Sequence, residues 1–155
     1  FYYDNQAAFP AASTSHGALA HSHADGAMFF AHGGVWNRLP ALTANTFTGA
    51  QIGTVTALTS TSNSIAVNLA VNNNFSHTTT ENTTLASPSN PVAGQSGVIT
   101  ITQGATPRTL AYNSFWKFAG GTVPTLTATG GAVDVLTYYV ESSSRATAQL
   151  VGDVK

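Results

Sequence analysis

The sequence predicts an all-β chain, with a small N-terminal β-meander followed by a β-sandwich or jelly-roll-like domain. Three observations predict it. Apolar and polar residues alternate along short runs, most clearly at Ile65-Ala66-Val67-Asn68-Leu69-Ala70-Val71, whose odd positions form one face. Gly, Pro, Asn and Asp punctuate these runs at short, regular spacing. Thr is abundant, and its β-branched side chain suits a pleated surface, while no 3.6-residue period is sustained anywhere.

Residues 1–39 read as the meander. Phe1-Tyr2-Tyr3 is an apolar piece followed by Asp4-Asn5 and Phe9-Pro10. It resembles the middle of a strand, so the expectation is a piece of a longer chain. Residues 17–23 make a strand, Ala24-Asp25-Gly26 a hairpin turn with Asp-Gly supplying positive φ, and residues 27–32 the returning strand. Gly33-Gly34 makes a second tight turn, and residues 35–39 a third strand stopped by Pro40. So small a unit cannot bury a large core. Phe1, Tyr3, Phe29, Phe30 and Trp36 are therefore expected to need partners from outside it. Residues 40–50 read as a connector.

Residues 51–155 read as the sandwich. After 65–71, Asn72-Asn73-Asn74 is a turn, and 75–84 a Thr-rich strand with one wet face. Pro88 and Pro91 bracket a loop. Residues 98–102 point Ile99 and Ile101 inward, and 109–112 do the same with Leu110 and Tyr112. Phe115-Trp116-Lys117-Phe118 precedes Gly120-Gly121. Residues 132–140 carry large groups on both faces, Val133, Val135 and Tyr139 against Leu136, Tyr138 and Val140, the pattern of a sandwiched strand. Residues 146–151 close the domain.

Charge excludes several classes of function. Only 7% of residues are charged, against about 25% in an ordinary domain. A surface so poor in charge has weak self-repulsion and suits burial against neighbours in an assembly. The basic residues Arg38, Arg108, Lys117, Arg145 and Lys155 are scattered, so no stripe offers itself to phosphates and no nucleic-acid partner is expected. No apolar run approaches the length of a membrane span, and no membrane insertion is expected. Cysteine is absent, so disulfides contribute nothing.

The acids Asp4, Asp25, Glu81, Asp134, Glu141 and Asp153 show no paired spacing along a predicted strand, and no Gly-x-Ser-x-Gly elbow exists. No catalytic activity and no organic cofactor are expected. Asp25 is explained by its turn, and Asp134 by capping or pairing near a strand start. Four of the five histidines lie within the first 32 residues. His21 and His23 stand at i, i+2, and His32 lies on the next strand, so His21, His23 and His32 are candidate ligands for a structural transition metal. In a threefold trimer the His-x-His pair alone would supply six nitrogens. The plainer reading is a polar face of a hairpin. Phe29, Phe30, Trp36 and Trp116 are candidate interface or adhesion aromatics, the competing reading being core packing.

Two stretches resemble a known group of proteins. His16-Gly17-Ala18-Leu19-Ala20-His21-Ser22-His23, with Phe29-Phe30-Ala31-His32-Gly33-Gly34-Val35-Trp36, is similar to a His- and aromatic-rich module of marine and cyanobacterial phage structural proteins. Residues 91–103, Trp116-Lys117-Phe118-Ala119-Gly120-Gly121-Thr122-Val123-Pro124-Thr125-Leu126 and residues 132–140 resemble the C-terminal β domain of tailed-bacteriophage tail-fibre and virion-appendage proteins. The resemblance implies a non-enzymatic virion protein, part of a tail fibre or similar appendage. Such a protein would serve host-surface adhesion or appendage assembly as a homotrimer, touching other virion proteins and a host-surface glycan. Alternatives of other classes are a capsid decoration or cement protein clamping shell subunits, and a free carbohydrate-binding module.

Overall fold

The computed structural model describes residues 2–40 and 50–154, so most of the predicted connector, 41–49, lies outside the described residues. The protein is all-β, and three short 3-10 turns are its only helical elements among the described residues. The chain divides into two compact units, Phe1–Gln51 and Ile52–Lys155.

The first unit is a four-stranded sheet of β1 (Tyr2–Tyr3), β2 (Leu19–Ser22), β3 (Ala27–His32) and β4 (Val35–Arg38), in that order. The meander β2-β3-β4 is antiparallel, and β1 adds a short parallel edge with Tyr2 opposite His21. Gly33 and Gly34 both take positive φ, 59° and 79°, giving the two-residue hairpin their sequence demands. The other turn is longer than expected, because Ser22 pairs with Ala27 and four residues lie between. Only Gly26 among these four takes positive φ. Asp25 acts through its side chain instead, accepting hydrogen bonds from the buried Ser22 hydroxyl and from Gln6 Nε2. These bonds, Ser22's first, hold its carboxyl below the usual carboxylate range.

Phe9 lies between the 3-10 turns Gln6–Ala8 and Ala12–Thr14 and meets three aromatic rings. Its centroid is 5.2 Å from Tyr3, 5.4 Å from Phe29 and 4.9 Å from Trp36. Trp36 Nε1 donates to Pro10 O at 2.9 Å. Small buried residues, Ala20, Ala27 and Ala31, lie on the same side of the sheet. The expectation that Tyr3, Phe29 and Trp36 need partners from outside the unit is thus corrected. Residues 4–16 fold beneath the sheet and supply them. Phe30 faces the other way and is half-buried, and Phe1 lies outside the described residues.

The second unit layers two sheets. One holds six strands in the order β12-β14-β13-β10-β8-β5, the other four in the order β11-β9-β7-β6. Their ranges are β5 Val55–Leu58, β6 Ser60–Thr61, β7 Ser64–Ile65, β8 Asn74–Thr78, β9 Thr83–Leu85, β10 Ser96–Thr102, β11 Leu110–Tyr112, β12 Trp116–Lys117, β13 Val133–Ser142 and β14 Arg145–Val151. The chain moves repeatedly from one sheet to the other. Strands that return to the same sheet therefore often run the same way. The pairs β5/β8, β8/β10, β7/β9, β9/β11 and β12/β14 are all parallel. Hairpins join only β6/β7 and β13/β14 within this unit. This mixed ladder departs from the antiparallel pairing of a jelly roll while keeping a two-layered core.

That core draws on both sheets, with Ile65, Leu85 and Leu110 meeting Phe75, Ile99, Ile101, Leu136 and Val140. Three sequence readings change here. The run 65–71 stays in line only to Leu69, because Asn68 Oδ1 accepts from Ala70 N and Asn68 O from Val71 N, turning the chain and exposing Val71. Residues 75–84 split into β8 and β9, in different sheets. In β13 only Asp134, Leu136, Tyr138 and Val140 are buried, while the face bearing Tyr139 is open and Val133 and Val135 are half-buried.

Tyr138 spans the core and donates its hydroxyl to Asn73 O at 2.9 Å. Burial pushes its phenol from 10.0 up to about 12. Between those values the unfolded chain loses this proton while the folded chain keeps it. Stability is therefore expected to fall as pH rises from 10 towards 12. Urea midpoints across that range check this. Tyr138→Phe should flatten part of the decline, Tyr112 retaining the rest because burial pushes its phenol the same way.

Candidate functional site

The histidines form two pairs rather than one cluster. His21 lies on the outer face of the first unit's sheet opposite Met28, and His23 in the turn that follows. Both rings gather on Tyr2, at 6.0 and 5.5 Å, and lie 6.3 Å from each other. His32 is four residues along β3 from Met28, ~13 Å at strand rise, and its ring meets His16 at 4.9 Å. Among the described residues no three His, Cys, Asp or Glu side chains gather to hold a metal. The three-imidazole site of His21, His23 and His32 within one chain is thereby corrected: strand register separates residues that the hairpin seemed to bring together.

The aromatics divide as well. Phe29 and Trp116 are each only 3% exposed and serve the cores, which removes both from the adhesion candidates. Trp116 Nε1 donates to Ala86 O at 2.9 Å, and its ring meets Phe115 and Tyr138 edge-on. Phe30 and Trp36 are half-buried. The outer face of the first unit carries Phe30 with exposed Tyr2, Leu19, Met28 and Val35.

Four of the acids have structural roles. Asp25 closes its turn. Asp134 accepts from Thr127 N, Thr127 Oγ1 and Asp153 N at 2.7, 2.8 and 2.8 Å. Glu81 accepts from Asn63 N. Glu141 takes the Thr147 hydroxyl and Arg145 Nε, the latter at 2.7 Å, and these bonds, Thr147's first, hold its carboxyl below the usual range. Gln103, which sequence reasoning left without a role, is a buried four-way pin. Its Oε1 accepts from Thr79 Oγ1 and Arg108 N, and its Nε2 donates to Arg108 O and Thr127 O.

Two surfaces of the second unit stand out as candidates for contact. The first is the outer face of the six-stranded sheet. Register places Val55, Asn74, Val98, Thr137 and Gln149 in one row, and Ala57, Ser76, Thr100, Val135 and Val151 in the next. Neither row contains a charged residue, whereas the next row of the same face, Ser96, Tyr139, Thr147 and Lys117, ends in a cation. Val55 is 62% exposed, and Tyr139, on the same face, 51%. The second is a groove of about 510 Å³ beside β12 and β14. Lys117, Arg145, Thr147, Gln149 and Thr122 give it polar groups, and Phe118, Pro124 and Leu150 apolar ones. Two cations that look scattered in sequence meet here because β12 pairs β14 in parallel, with Lys117 opposite Thr147.

No family model, curated protein or solved structure matches this chain.

Proposed function

We propose that this chain is a non-enzymatic structural module of a tailed-phage virion, part of a tail fibre or similar appendage, which assembles with copies of itself and holds a host surface. The observation that carries the reading is a pair of adjacent rows on the outer face of the six-stranded sheet, Thr, Ser, Val, Asn, Gln and Ala with no charge between them, Lys117 entering only at the end of the next row. Such a face has little to keep it soluble and much to gain from a matching copy. Threefold closure would cover three such faces at once and hide sheet edges. The motif resemblance in residues 91–103, 116–126 and 132–140 supports the appendage rather than a free binding module.

Light scattering on the whole chain at micromolar concentration is expected to give three times the monomer mass. Thr137→Lys, in the uncharged rows, should release monomers whose circular dichroism is unchanged. A wild-type monomer at that concentration overturns the assembly reading. Labelled antibody seen on the shell rather than on an appendage of the virion would replace it with a shell-clamping role.

A further inference from the structure

The groove beside β12 and β14 has a composition unlike the rest of this chain. Cations are rare here, five in the whole sequence, yet Lys117 and Arg145 both line it. Arg145 gives its Nε to Glu141, and Glu141 is further fixed by Thr147, so the guanidinium is held in place with its terminal nitrogens outside that bond. Lys117 has no ion pair among the described residues. Two positive charges against one carboxylate leave the groove with one net positive charge. Hydroxyl and amide groups of Thr122, Thr147 and Gln149 stand beside the apolar surface of Phe118, Pro124 and Leu150. Its volume of about 510 Å³ lies within the range of small-molecule sites, about 300–1,000 Å³.

Each feature has a counterpart in one ligand chemistry. A pyranose presents a C–H face for apolar contact and a rim of hydroxyls for hydroxyl and amide partners. A single carboxylate matches one net positive charge, with a guanidinium and an ammonium as the strong charge-assisted donors. Phosphorylated or multiply sulfated sugars would bring more negative charge than the groove can balance. We propose that this groove is a subsite for a carboxylate-bearing sugar, one unit of an acidic host-surface glycan. The inference rests on the adhesion half of the function proposed above. One shallow site of this kind binds weakly, and copies side by side in an assembly would supply avidity.

The test titrates the isotope-labelled whole chain with tri-galacturonate, and in parallel with maltotriose and with acetate, reading amide shifts. Tri-galacturonate is expected to shift Lys117, Phe118 and Thr147, on the side of the groove away from the uncharged rows. Maltotriose and acetate should bind at least about tenfold more weakly, the loss of one charge-assisted contact or of the ring contacts. Lys117→Gln should weaken tri-galacturonate binding by about the same factor, with amide positions elsewhere unchanged, and Lys117→Arg should restore it. Equal binding of maltotriose or acetate, shifts confined to other residues, or a Lys117→Gln variant that binds like wild type overturns the proposal. Oligomer mass is measured on the same samples. A trimer that fails to bind overturns the groove alone, and a monomer that binds overturns the assembly alone.

Discussion

Asp134→Ala is expected to lower the stability of the second unit by about 3–5 kcal/mol. Asp134 is buried near the start of β13 and holds three donors: Thr127 N, Thr127 Oγ1 and Asp153 N. Alanine leaves all three without an acceptor, in a place water reaches poorly, and each orphaned donor costs about 1–3 kcal/mol. This one carboxylate joins the segment before β13 to the segment after β14, which Val154 N also ties to Val133 O. Thr127 is tied in turn to the Gln103 pin through its carbonyl, so the loss should spread towards β10. Thr127→Val, which removes only the hydroxyl arm, should cost about 1 kcal/mol. Urea denaturation of the three proteins checks the ordering. An Asp134→Ala midpoint equal to that of Thr127→Val would show that the backbone donors find other acceptors.

Gly97→Ala is expected to be nearly as severe, for a steric reason. Gly97 sits in β10 without positive φ, so its backbone conformation is open to alanine. The space is not. A Cβ there would lie 1.9 Å from Asn73 O, 2.4 Å from Tyr138 Oη and 2.7 Å from Tyr138 Cζ. Asn73 O is backbone, and it already accepts from Tyr138 Oη and from Val98 N at 3.0 Å. Making room means moving β10 or expelling the Tyr138 ring from the core. Overpacking at about 1–3 kcal/mol, together with a disrupted buried hydrogen bond, gives roughly 2–4 kcal/mol. Combining Gly97→Ala with Tyr138→Phe should cost less than the sum of the two, since the phenylalanine lacks one of the clashing atoms. Strict additivity would mean that the clash is relieved on the Asn73 side alone.

The sequence made the faces legible and left the partners hidden. Period-two alternation identifies Ile99 and Ile101 as inward, because that property belongs to one strand. Gly33-Gly34 declares its hairpin, because two adjacent positive φ angles satisfy one local need. Nothing local says that β8 and β9, four residues apart, belong to different sheets. A strand's own residues do not encode which strand lies beside it when the connection is not a hairpin. The same gap explains the candidate site. Lys117 and Arg145 are 28 positions apart and meet only through the parallel β12/β14 pair. Conversely, His21 and His32 look near across a hairpin and are separated by register. Phe9, the ring under the first unit's sheet, lies in a segment with no periodic signal, and proximity to Pro10 was its only distinguishing mark.

The position of β14 has a consequence for how the second unit comes into being. It is the last strand in chain order, yet it is inserted between β12 and β13 rather than added at a margin. Until Arg145–Val151 is in place, β12 has no neighbour in its sheet, and Trp116 lacks Ala146, its partner in the ladder. β13, still paired with β10 on one side, meanwhile presents its other edge, from Val135 to Ser142, unpaired. With Arg145–Val151 out of place the sheet is incomplete, and this seven-residue strand acts as a latch on the unit.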